Sequence, residues 1–355
     1  MQNKNNKRQK ALIKTMENTA TDKVWREKPE LIRNYLGLLS KHEKLCEEVE
    51  YILKTKLRSA EIDIALVTSR AKGLSSYCEK IERKSYSDPL KNITDLAGAR
   101  IVFLYLSDLP KIEKIIEKEF DIVEKENKLQ NNDTEKFGYG ALHYLVKIKK
   151  RHTGARYDDL RDLVCEIQVR TILQDAWSIV AHHLSYKHEA DVPKSLMRKL
   201  NALSGLFETA DDQFESLRTA RNFYIESTEK EISENTPNTL KQKINLDNLI
   251  AYGTSKFPAR RKGSTEGYAE LLEELKVLGY KTLQDVESAV KKGINAAVEE
   301  EKEDPPMDDD EQLTEFNVIG LIRTSIAMVN EPYCKEKYSG PAYEKYKKYN
   351  LWVKT

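Results

Sequence analysis

Cysteine is scarce in this chain. There are four in 355 residues, at Cys46, Cys78, Cys165 and Cys334, with no paired spacing. That pattern excludes a disulfide framework and a cysteine zinc site, and it points to a reducing compartment. Long apolar runs are missing too. None approaches the length that spans a bilayer, so no membrane partner is expected. Residues 1–24 are polar and basic and lack the apolar centre of a secretory leader, which leads us to expect a cytoplasmic protein. A dominant charge is also absent. Lys and Arg number 59 against 58 Asp and Glu, a net charge of +1. An anionic partner must therefore be held by local basic patches, since no overall field draws it in. The length is enough for two or three modules and a substantial core.

The clearest stretch is Val164–Arg170. Cys165, Ile167 and Val169 alternate with Glu166, Gln168 and Arg170. A period of two is a half-buried strand, with the carboxylate, the amide and the guanidinium facing one cleft. A helical pattern follows at once through Ile172, Ala176, Val180 and Leu184.

Upstream, residues 28–57 read as amphipathic helix and Ile62–Val67 as a short strand. The turn after that strand carries Arg70 and Lys72. Ser76 is expected to cap the next helix, with Glu79 completing a capping box, and Lys80 lies along that helix. A strand-to-helix turn is a natural phosphate seat; a solvated basic helix face is the plainer reading of this segment alone. Ile101–Leu106 reads as a central strand buried on both faces, with Asp95 just before it and Arg100 at its start. Residues 108–118 read as helix, Phe120–Val123 as a strand and 124–135 as a polar loop. Leu142–Lys149 alternates as another strand and carries His143. Before it, Gly138 and Gly140 flank Tyr139 and leave its ring exposed for stacking.

From Pro193 a long helix is expected. Its stripe of Leu196, Leu200, Leu203, Phe207, Ala210, Phe214 and Leu217 suits bracing a sheet. The remainder reads as a separate helical module, interrupted by an acidic, proline-broken linker at 299–312.

Two carboxylates (Asp95, Glu166) beside Arg70, Lys72, Lys80 and Arg100 make up what a metal–triphosphate site needs. Carboxylates hold Mg²⁺, and cations neutralise phosphate charge. Guanidinium planes and a tyrosine ring can also stack on bases.

The segments Arg70-Ala71-Lys72, Ile93–Val102, Phe137–Val146 and Cys165–Lys187 resemble the synthetase domain of the RelA/SpoT alarmone family, over roughly residues 60–190. The resemblance implies an α+β fold, a nucleotidyltransferase-like mixed β-sheet flanked by helices. It implies an ATP-dependent pyrophosphokinase that moves the β,γ-pyrophosphate of ATP onto a ribose 3′-hydroxyl. By motif, Asp95 and Glu166 become the catalytic Mg²⁺ carboxylates, and Glu166 can also accept the hydroxyl proton. Arg70 and Arg100 sandwich the adenine, and Lys72 and Lys80 hold the phosphates. Tyr139, His143 and Gln168 line the acceptor side. Two positions depart from small alarmone synthetases: Gly140 replaces a polar residue after the tyrosine, and Ala181 replaces a glutamate before the helix histidine. Both bear on the acceptor more than on the chemistry. No His…His-Asp hydrolase block precedes the domain, so no alarmone hydrolysis is expected.

In the tail, Tyr343-Glu344-Lys345-Tyr346 resembles the Tyr-x-x-Tyr element of fused toxin–antitoxin members of the CapRel type. That resemblance implies an autoinhibitory role for Tyr343 and Tyr346. It also implies a phage protein as trigger and the 3′ CCA end of tRNA as acceptor, with translation arrest in phage defence. The alternative is a (p)ppGpp synthetase of the stringent response, using GDP or GTP. A third reading is a catalytically inactive nucleotide-binding regulator. The expected organisation is N-terminal helices at 1–58, the synthetase domain with its bracing helix at 59–225, a linker at 226–244, and a C-terminal regulatory module at 245–355.

Overall fold

The computed structural model describes residues 19–60, 62–84, 86–127, 140–184, 194–308, 311–312, 314–338 and 340–350. The chain divides into two compact units, 1–216 and 217–355. Among the described residues, no helix is long and apolar enough to cross a membrane.

The first unit is a five-stranded mixed sheet with helices. Its elements run α1 (Ala20–Glu27), α2 (Pro29–Ser59), β1 (Ile64–Ala71), α3 (Leu74–Lys84), β2 (Ala97–Phe103), α4 (Leu109–Glu119), β3 (Phe120–Asn127), β4 (Leu142–Ile148), β5 (Cys165–Thr171) and α5 (Ile172–Leu184). α6 (Lys194–Ser233) begins in this unit. The sheet order is β1-β2-β5-β4-β3. β2 and β5 are parallel, and the other neighbours are antiparallel.

The period-two patterns explain the layering. Val67, Ala97, Ala99, Ile101, Phe103, Leu142, Tyr144, Val146, Ile148, Cys165, Ile167 and Val169 all bury on one side. Leu45, Val49, Ile52, Leu53 and Leu57 of α2 join them in one core. These recur at helical intervals, so one face of a 31-residue helix meets the apolar side of the sheet. The opposite side carries Gly98, Arg100, Glu166, Gln168, Arg170 and His143.

β2 therefore departs from the expected strand buried on both faces. It starts four residues earlier, at Ala97, and its pattern alternates until Ile101. Its second face is the floor of a polar cavity. β1 also runs further than expected, because Thr68, Arg70 and Ala71 pair with Arg100, Gly98 and Ala97. Arg70 thus belongs to a strand and not to a turn. α3 begins at Leu74, so the expected Ser76 cap does not form. The Tyr77 amide donates to the Gly73 carbonyl at 2.9 Å, and Ser76 sits inside the first turn. β3 reaches Asn127, four residues into the expected loop.

On α6 the packed face is offset from the leucine–phenylalanine stripe. Leu200, Ser204 and Asp211 are buried, while Leu203 and Phe214 are exposed. The expectation of an unbroken bracing stripe is corrected accordingly. α6 also continues to Ser233, through what was expected as linker from 226, and Ile232, Thr239 and Ile244 are buried.

The second unit is helical: α7 (Leu246–Lys256), α8 (Thr265–Val277), α9 (Leu283–Glu303), α10 (Val318–Ala327), α11 (Glu331–Lys337) and α12 (Pro341–Lys347), besides one two-residue strand pair. Thr282 caps α9 through a reciprocal capping box with Asp285, as its spacing suggests. α9 extends through Glu303, so the acidic stretch is not a linker at its start. Glu301 is buried because Arg260 pairs with both of its oxygens, at 2.6 and 2.9 Å. Gly293 lets α9 and α10 touch, since a Cβ there would lie 1.8 Å from the Ser325 carbonyl oxygen.

Candidate active site

On the polar side of the sheet lies a cavity of about 310 Å³. Arg70, Lys72, Asp95, Arg100, Glu166 and Gln168 line it, together with Thr68, Ser69, Ser76, Gly98 and Ala99. The sheet register explains the convergence. Thr68, Arg100, Gln168 and His143 form one cross-strand row, and Arg70, Gly98, Glu166 and Leu145 form the next. Side chains in successive rows of one face are near neighbours. Gly98 contributes no side chain, so the floor stays open between Arg70 and Glu166.

Asp95 precedes β2 and meets two ammonium groups. Lys72 Nζ is 2.7 Å from Oδ2, and Lys80 Nζ is 2.9 Å from Oδ1. Burial pushes its pKa up, but hydrogen bonds from Lys72 and Lys80 outweigh that and hold the carboxyl below its usual range. Glu166 is held at both oxygens. His143 Nδ1 donates to Oε1 and Gln168 Nε2 to Oε2, each at 2.9 Å. Again burial raises the pKa, and the His143 and Gln168 hydrogen bonds bring it below the ordinary value. The charge of Asp95 acts in the opposite sense, so the two carboxylates sense one another.

Both acids are therefore ionised at neutral pH in one cavity. Among the described residues no three His, Cys, Asp or Glu side chains are grouped to hold a metal on their own. Two ionised carboxylates still fit Mg²⁺, which takes one or two of them and completes its shell with phosphate oxygens and water.

The structure brings together Asp95, Glu166, Arg70, Lys72, Lys80 and Arg100. It brings His143 and Gln168 as well, but onto Glu166 itself, a contact the acceptor-side expectation did not include. Tyr139 lies outside the described residues, as do residues 185–187 at the end of the segment that carries the resemblance. Tyr343 and Tyr346 sit on α12 in the second unit. Tyr346 stacks on Tyr338 with ring centroids 3.8 Å apart, and the Tyr343 hydroxyl donates to Glu331 at 3.3 Å.

Sequence reasoning gave no site role to Arg170 or Asp175, and it took Ser76 only as a helix cap. Arg170 was visible as a member of the polar face. Its Nη2 donates to Gln168 Oε1 at 3.0 Å, and its Nη1 donates to Ser178. Nothing local in the sequence marks Asp175.

Residues 69–191 match a family described as a region found in RelA / SpoT proteins. Among curated relatives, GTP pyrophosphokinase YjbM of Bacillus subtilis (strain 168) is 25% identical over 158 residues, 44% of this chain and 72% of that protein. GTP pyrophosphokinase YwaC of the same organism is 28% identical over 151 residues, 41% and 69% of the two chains. Among solved structures, small alarmone synthetase 1 from Bacillus subtilis aligns with a TM-score of 0.45 at 23% identity, covering 53% of this chain and 97% of that one.

Proposed function

We propose that this chain is a RelA/SpoT-type pyrophosphokinase transferring the β,γ-pyrophosphate of ATP to a ribose 3′-hydroxyl, a reading supported by the match of residues 69–191 to a region found in RelA / SpoT proteins. The observation that supports this most is that Asp95 and Glu166 face one cavity among Arg70, Lys72 and Arg100. An inactive regulator has no need of two ionised carboxylates there.

In the proposed reaction the 3′-oxygen attacks the β-phosphorus, the bond from that phosphorus to the α,β-bridging oxygen breaks, and AMP leaves. Glu166, kept ionised by its two hydrogen bonds, accepts the hydroxyl proton. Arg70 and Arg100 lie against the adenine. Lys72 and Lys80 exchange Asp95 for phosphate oxygens and offset the charge that spreads over them in the transition state. Asp95 and Glu166 would hold Mg²⁺, which supplies charge neutralisation at the phosphates. His143 and Gln168 keep the Glu166 carboxylate oriented.

For the acceptor we favour a guanosine nucleotide, GDP or GTP, because both curated relatives carry that activity in their names. A second reading takes the 3′ CCA end of tRNA. It is favoured by the Tyr-x-x-Tyr element at 343–346 and by a second unit that lies outside the matched residues. In that reading the second unit restrains the enzyme and a phage protein releases it.

Incubation with γ-labelled ATP and either GDP or deacylated tRNA separates the readings, run with the wild-type protein and with Tyr346→Ala. Label on GDP with both proteins supports alarmone synthesis. Label on tRNA that rises with Tyr346→Ala supports the restrained toxin. Label on neither acceptor with either protein leaves only the regulator.

A further inference from the structure

The Arg100 guanidinium is one of two that meet over β2 and β5. The other is Arg170, and burial followed by the positive charge of Arg100 lowers its pKa. Two adjacent cations in a partly buried place need an anion between them. Asp175 is that anion. Its Oδ1 lies 2.9 Å from Arg100 Nη1 and 3.8 Å from Arg170 Nη1. The side chain is 11% exposed.

Asp175 is held there by the way β5 passes into α5 without a loop. The Thr171 amide donates to Gln174 Oε1 at 2.8 Å, and the Gln174 amide donates to Thr171 Oγ1 at 3.1 Å. This reciprocal pair fixes the first turn of α5, where Asp175 stands. Thr171 Oγ1 also donates to Asp211 on α6 at 2.6 Å, which anchors the turn from a second element. Arg170 has other partners in Gln168 and Ser178. Arg100 is drawn toward α5 by its ion pair with Asp175.

We propose that Asp175 is a positioning residue that sets the Arg100 guanidinium against the base of the bound adenine nucleotide. The proposal rests on the pyrophosphokinase reading, and it assigns Asp175 to the base and not to the phosphates, which fall to Lys72 and Lys80. Neutralising it leaves two guanidiniums repelling one another and frees Arg100 to turn away.

The test is calorimetry with two probes in MgCl₂: adenosine 5′-(α,β-methylene)triphosphate, which carries the base, and inorganic tripolyphosphate, which does not. Asp175→Asn should weaken the nucleotide by about fivefold, the upper scale of an ion pair near a protein surface, and leave tripolyphosphate unchanged. Asp175→Glu should recover most of the loss. In an Arg100→Ala background, Asp175→Asn should cost nothing further. Equal weakening of both probes would make Asp175 a general support of the fold and overturn the proposal, as would additive losses with Arg100→Ala. If Asp175→Asn does not melt cooperatively, Asp175→Glu decides: wild-type affinity upholds the proposal, and loss of both probes together overturns it. A wild-type protein that binds no adenine nucleotide removes the enzymatic reading itself, and this proposal with it. A wild-type protein that binds it as tightly as Asp175→Asn does removes only the role of Asp175.

Discussion

At the scale of single residues, the geometry around Glu166 decides how it works. A carboxylate with both oxygens bonded at 2.9 Å has one orientation, and its charged form is the favoured one. Under the proposed function, His143→Ala releases one of those oxygens. The expected outcome is a fall of about tenfold in kcat with little change in acceptor KM. Steady-state kinetics with varied acceptor checks this. A rise in acceptor KM with kcat intact would return His143 to the acceptor side. The pairing of Glu166 with Gln168 and Arg170 was legible, because alternation in a strand fixes which side chains share a face. The bond from His143 was not. It depends on β4 lying beside β5 with His143 opposite Gln168, and a register between distant strands has no local signal in the chain. Asp175 was invisible for the same reason: it matters only because β2 brings Arg100 beside it.

Between elements, the junction of β5, α5 and α6 rests on Asp211. Burial first, and the charge of Asp212 second, push its pKa up to about 7. The unfolded carboxyl titrates near the ordinary value of about 3.9. A folded pKa above the unfolded one means that the folded form prefers the proton. The stability it contributes is complete below about pH 4 and is lost as pH rises through about 7. Asp211→Asn keeps an oxygen for the Thr171 hydroxyl and cannot ionise. Its stability relative to wild type should therefore improve from pH 5 to about pH 8. Urea midpoints at the two pH values check this, and an unchanged difference would contradict it. Element type was legible wherever periodicity was long, as in α2 and the strands. Boundaries were less so. Pairing with β2 carried β1 past Val67, and α6 absorbed residues 226–233, whose Ser and Thr had suggested a linker. Glu300 and Glu301 read as solvated acid because their pairing with distant groups, Arg260 among them, is a tertiary fact.

For the molecule as a whole, the family match falls within the first unit and does not reach the second. The second unit has its own core of Leu249, Tyr252, Leu271, Leu275, Val286 and Ile322. Tyr346 packs against that core and stacks on Tyr338, a packing that the Tyr-x-x-Tyr spacing did not indicate. The chemistry is assigned to the first unit alone, and there everything depends on Asp95 and Glu166 serving one nucleotide in one cavity. The most direct measurement is the nucleotide product formed from ATP in the presence of acceptor, by wild type, Asp95→Asn and Glu166→Gln. Pyrophosphate transfer predicts that wild type forms AMP in step with pyrophosphorylated acceptor and that each variant, still folded, forms neither. ADP as the product, or AMP formation that persists at the wild-type rate in either variant, would contradict the account.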